Sequence, residues 1–132
     1  MTRRYRGPSR PLPDRKISET LLDYARPLLE QFEAGASSAA IERALELAVM
    51  VWNADVLEQT TDADHYLAEI RETIRLSGMT PALATVDALI ERRRRLFSDD
   101  LRLIGNFTVS TDGDGLRLRA EARSNDPAHA PR

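Results

Sequence analysis

The sequence predicts an α+β fold that is predominantly α: four helices, the first kinked or broken at Pro27, followed by a C-terminal two-stranded β-hairpin. Apolar residues recur at helical spacing in four stretches between Ile17 and Phe97, each set off by glycine, proline or a capping side chain. Beyond "SDD" the period falls to two on either side of "TDGDG", as a hairpin requires. A length of 132 residues, 42% apolar and 30% charged, is a globular balance for one domain, expected to span residues 17–123.

Residues 1–16 carry Gly7, Pro8, Pro11 and Pro13 without apolar periodicity, which predicts a disordered basic arm. The first helix is expected over 18–33, with Ser18 as N-cap, Glu19 in its first turn, and Leu21, Leu22, Ala25, Leu28, Leu29 and Phe32 facing inward. Pro27 lacks a backbone donor there, which predicts a kink or break near Ala25 and Arg26. A second helix over 38–59, capped by Ser37 or Ser38, places Ile41, Ala44, Leu45, Ala48, Val49, Val51, Trp52 and Val56 on one broad arc, so Trp52 marks the core. Leu47, Met50, Ala54 and Leu57 form a narrower second arc; being apolar on two sides, this helix should be central.

The third helix, expected over 62–77 from a start at Thr61 or Asp62, turns Tyr66, Leu67, Ile70 and Ile74 inward and ends at Gly78. "GMTPAL" then supplies Thr80 as N-cap and Pro81 at the first helical position. The fourth helix, over 81–96, is expected to bury Leu83, Val86, Leu89, Ile90, Leu96 and Phe97. Hairpin strands follow over 103–110 and 116–123, with Leu116, Leu118, Ala120 and Ala122 on one face and Arg117, Arg119, Glu121 and Arg123 on the other. Pro127 and Pro131 in residues 124–132 predict a disordered tail.

"IERRRRLF" looks like a basic patch. At 100° per residue, however, Arg92 to Arg95 sweep around most of the helix and share no face. Arg93 falls inside the apolar arc, Arg92 and Arg94 flank it, and Arg95 points to solvent. An inward guanidinium needs a counter-ion, because an unpaired buried charge is costly. Asp55 is equally out of place inside the apolar arc of the second helix, which makes Arg93 and Asp55 a candidate structural ion pair.

Net charge is −2, unevenly spread: residues 1–16 hold six basic and one acidic side chain, residues 17–90 four and thirteen, and residues 91–132 nine and seven. Lys16 is the only lysine, and arginine enrichment throughout the chain also follows from the codon usage of a GC-rich genome. A nucleic-acid-associated accessory protein could use Arg3, Arg4, Arg6, Arg92, Arg94, Arg117, Arg119 and Arg123 for partner or phosphate contacts. The acidic middle, a pI of 5.7 and the scarcity of aromatic residues beside the basic ones count against nucleic acid.

For catalysis the inventory is poor. His65 and His129 are the only histidines, cysteine is absent, and no glycine-rich phosphate loop or nucleophile elbow occurs. "DADH" reads as a capping cluster and "STDGDG" as a turn, since the latter lacks the remaining oxygen ligands of a calcium loop. No catalytic residue, metal or cofactor is expected. No apolar run reaches the ~18 residues of a membrane span, and the basic start lacks the apolar segment of a secretory signal. The expectation is a bacterial-type cytoplasmic protein that acts as a non-catalytic interaction or regulatory domain, possibly a homo-oligomer, with its protein partner unspecified.

Overall fold

The four apolar stretches form helices and the alternating pair forms a hairpin. The computed structural model describes residues 16–32, 36–112 and 115–123. Its elements are α1 (Ile17–Leu29), α2 (Ser38–Thr60), α3 (Tyr66–Leu76), α4 (Pro81–Leu96), β1 (Leu103–Asp112) and β2 (Gly115–Arg123). The arm up to residue 15 and the tail at 124–132 lie outside the described residues, whereas the first helix ends at Leu29, four residues before its expected end.

α1 begins one residue earlier than expected, at Ile17, without a side-chain cap. Ser18 does not cap the helix because its hydroxyl is spent on β2, where it accepts from the Ala120 N–H (2.7 Å) and donates to the Ala120 carbonyl (3.1 Å). α1 runs through Pro27 and ends two residues later. A proline at this position leaves the carbonyl of residue i−4, Asp23, without its helical donor. Arg92 of α4 supplies one: Nη2 donates to the Asp23 carbonyl (2.9 Å) and Nε to the Tyr24 carbonyl (3.0 Å).

α2 is capped by Ser37, whose hydroxyl accepts from the Ala40 N–H at 3.1 Å. It packs on α1, α3, α4 and β1, the central position that its two apolar arcs predict. α3 starts at Tyr66, four residues later than expected. The reason lies in its capping: Glu58 on α2 accepts from the Leu67 N–H at 2.9 Å, so the cap comes from the preceding helix and "DADH" remains a connection. At the other end Gly78 adopts φ +80° and the Met79 N–H reaches the Ile74 carbonyl (3.2 Å), closing α3 with a Schellman turn. Thr80 makes no side-chain cap; the backbone bonds Ala82 to Met79 and Leu83 to Thr80 tighten the start of α4 instead.

The core centres on Tyr24, Trp52 and Phe97, whose rings meet edge to face at 5.1, 5.6 and 5.7 Å. Two residues expected inside are exposed, Leu22 and Leu96, because each falls at the rim of its helix's buried stripe. β1 and β2 pair antiparallel from Leu103 opposite Arg123 to Asp112 opposite Gly115, two residues longer on β1 and one on β2 than the alternation alone suggests. A bulge lies between Ile104 and Phe107, where the register shifts from Ala122 to Ala120. Ala122 is exposed although it shares the parity of buried Ala120. Among the described residues no helix is long and apolar enough to cross a membrane.

Candidate functional site

Helical geometry distributes the four arginines of α4 as their spacing requires, and the structure gives each a different surrounding. Arg93 is fully buried, with Nε 3.0 Å from Oδ2 of Asp55, itself 1% exposed. The N–H does not point along that line, so Nε and Oδ2 form a close ion pair without an aligned hydrogen bond. The remaining donors are well placed: Nη1 donates to the Phe97 carbonyl (3.0 Å) and Nη2 to Gln59 Oε1 (2.7 Å). The guanidinium also lies 4.3 Å from the Trp52 ring centroid, a cation–π contact away from solvent. Burial lowers the pKa of Arg93 below its ordinary value, while Asp55, Tyr24 and Asp100 oppose that shift.

Arg94 closes the outer side of Asp55, with Nη2 3.1 Å and Nε 3.2 Å from Oδ1. Each oxygen of Asp55 thus faces one arginine. Arg92 is committed to α1 through the Asp23 carbonyl that Pro27 leaves without a helical donor and the neighbouring Tyr24 carbonyl, and lies 3.7 Å from the Asp23 carboxylate. Only Arg95 of the four, exposed to solvent, makes neither a hydrogen bond nor an ion pair among the described residues. As a phosphate-binding surface, the run is therefore reduced by two members that hold the fold and a third that shares its charge with Asp55.

A second buried fork was not legible in the sequence. Asp100, fully buried, receives Arg102 Nε at 2.9 Å and Nη2 at 2.6 Å, and Nη2 also donates to Thr20 Oγ1 (3.2 Å). The Arg102 carbonyl accepts from Trp52 Nε1 at 2.7 Å, so this fork ties the α4–β1 connection to α1 and α2. Asn53, next to Trp52, bonds both backbone groups of Ile104: Nδ2 donates to its carbonyl (2.9 Å) and Oδ1 accepts from its N–H (2.8 Å). Tyr24 donates its hydroxyl to the Leu89 carbonyl at 2.9 Å, and burial raises its phenol pKa above the ordinary value. The signals for Asp100, Asn53 and Ser18 are single polar residues beside apolar ones, which sequence alone does not separate from ordinary surface positions.

Asn53 and Ser18 define how the hairpin presents itself. Each holds the outward N–H and C=O of one residue, Ile104 on β1 and Ala120 on β2, as a neighbouring strand would. Because alternate residues of a strand direct both groups to the same side, Phe107 and Val109 on β1 and Leu116 and Leu118 on β2 also turn theirs outward. Among the described residues these outward groups meet no further hydrogen-bond partner. Arg117, Arg119 and Arg123 are exposed on one face of β2, while Phe107, Val109, Leu116 and Leu118 lie half-buried on the other. Arg3, Arg4 and Arg6 lie outside the described residues.

Grooves lie between helices, among them one between α3 and α4 beside Arg71, Asp87 and Arg94, one between α1 and α4 lined by Pro27, Leu28, Gln31, Ala88, Arg92 and Arg95, and one between α2 and α3. The last shows how the second arc of α2 is used: Ala54 is buried, whereas Met50 stands 48% exposed at its rim. His65 is exposed and stacks on Tyr66 at 4.2 Å. Among the described residues no three His, Asp or Glu side chains gather as a metal site would need. Comparisons with protein-family models, curated proteins and solved structures found no match.

Proposed function

We propose that the protein is a non-catalytic interaction domain that self-associates through its hairpin. The observation that carries this reading is the outer edge of β1. Ile104 at its base is held by Asn53, whereas Val109 presents its N–H and C=O outward in a two-stranded sheet. An edge of that kind is a template for another strand. A two-fold centred on Val109 would exchange its two backbone bonds with Val109 of a second copy and set Thr108 against Ser110 of that copy. Such a hydroxyl pair is favourable, and no like charges oppose each other.

The non-catalytic part of the reading is supported by where the buried ionisable groups point. Asp55, Arg93, Asp100 and Tyr24 are paired within the core, not aimed into an open cleft. The test is light scattering of purified protein at tens of micromolar, with Val109→Pro alongside. Proline removes the outward N–H while leaving the β1–β2 ladder intact, so the expected result is a dimer for the parent chain and a monomer for the variant. A monomeric parent chain would overturn the self-association.

A further inference from the structure

We propose that the outer edge of β2 receives an extended segment whose residues alternate between acidic and apolar, adding it to the hairpin as a further strand. This rests on the reading of the hairpin as the docking element, but it concerns the opposite edge and a different partner. Ser18 fixes the geometry: its hydroxyl holds both outward backbone groups of Ala120, so a docked segment is stopped there and is read by Leu118 and Leu116. Those two residues offer two N–H donors and two carbonyl acceptors, enough to fix about four or five residues of a partner in extended form.

Side chains decide which partner fits. On one face of β2 stand Arg117, Arg119, Glu121 and Arg123, all exposed, a net positive face on which, among the described residues, neither Arg119 nor Arg123 is within ion-pair distance of a carboxylate. On the other face Leu116 and Leu118 lie half-buried against the core. A segment with carboxylates at every second position would set them beside Arg117 and Arg119, and its intervening apolar residues would extend the Leu116–Leu118 surface. A second copy of β2 paired about Leu118 does not satisfy this edge. An antiparallel two-fold centred on Leu118 sets Arg117 against Arg119 of the second copy, twice, placing like charges directly opposite. Self-association thus suits the uncharged β1 edge, and an acidic strand suits β2.

The test uses a fluorescent eight-residue peptide of alternating glutamate and valine. Its comparators are a peptide of the same composition with the alternation scrambled, a lysine–valine analogue, and oligothymidylate. The full chain should bind the glutamate–valine peptide saturably, and the scrambled and lysine peptides at least tenfold more weakly. Arg119→Glu should cost at least tenfold, and the amide resonances of Leu116 and Leu118 in the parent chain should shift on titration. Leu118→Pro, which removes one outward donor, should lower binding by a similar factor. Equal affinity for the scrambled peptide or for oligothymidylate would overturn the proposal, showing attraction by charge alone. So would binding without shifts at Leu116 and Leu118, or no binding at millimolar peptide. Failure of the peptide arm with a dimer still abolished by Val109→Pro would overturn the β2 proposal alone, whereas a monomeric parent chain would strike the hairpin reading itself.

Discussion

Replacing Asp55 with alanine leaves Arg93 buried with no carboxylate against its Nε, although Gln59 and the Phe97 carbonyl still hold its terminal nitrogens. Removing one partner of a buried ion pair costs about 3–5 kcal/mol, and the full burial of Arg93 places Asp55→Ala in that range. Arg93→Met is expected to cost less, about 2–4 kcal/mol, because Asp55 keeps Arg94 on its other oxygen. The double variant removes the stranded charge, so its loss should fall short of the sum by at least ~2 kcal/mol. Urea unfolding followed by the fluorescence of Trp52, the only tryptophan, reads this directly. At a slope of ~1.5 kcal/mol/M, a 3 kcal/mol loss moves the midpoint by about 2 M. Should the alanine variant fail to fold, Asp55→Asn with Arg93→Gln gives the same cycle at smaller amplitude. Losses that add to within ~0.5 kcal/mol would refute the pairing as an energetic unit.

Arg92→Met should cost about 1.5–3 kcal/mol, since two helical carbonyls lose a charged donor, and markedly less in a Pro27→Ala background where the residue 27 N–H can bond Asp23; equal cost in both backgrounds would contradict the link. The raised pKa of Tyr24 predicts a pH effect of definite sign. Below about 10 the phenol is protonated in both states, whereas above it the unfolded chain ionises and the folded one does not, so stability falls as pH rises. Tyr24→Phe should weaken that alkaline loss in urea titrations between pH 9 and 11; an unchanged slope would count against the cause. Asn53→Ala should cost about 1–3 kcal/mol by stranding both backbone groups of Ile104, and should speed hydrogen exchange at the Ile104 amide more than at Leu89 in α4.

Periodicity made the helices and the hairpin legible, and the same 100° rule located Arg93 and Asp55, because a charge inside an apolar arc is visible without coordinates. The helix ends were less legible. Ser18 has the chemistry of an N-cap, yet its hydroxyl is claimed by Ala120, 102 residues away, and α3 takes its cap from Glu58 on the preceding helix. Both are tertiary choices between equally good local partners. Arg92 shows the same limit from the other side: Pro27 announces a missing donor, but nothing local indicates that a guanidinium from α4 replaces it. The edges of the hairpin became readable only once Asn53 and Ser18 showed which backbone groups turn outward.

The self-association through β1 is tested most directly by a sample in which isotope-labelled and unlabelled chains are mixed and contacts between copies alone are observed. In the pairing centred on Val109, the α-protons of Thr108 and of Ser110 in the second copy lie across a non-hydrogen-bonded pair, close enough for a strong cross-peak. That cross-peak is the expected result, and it should vanish with Val109→Pro. A dimer that shows intermolecular contacts elsewhere and none between Thr108 and Ser110 would contradict the assignment of β1 as the interface.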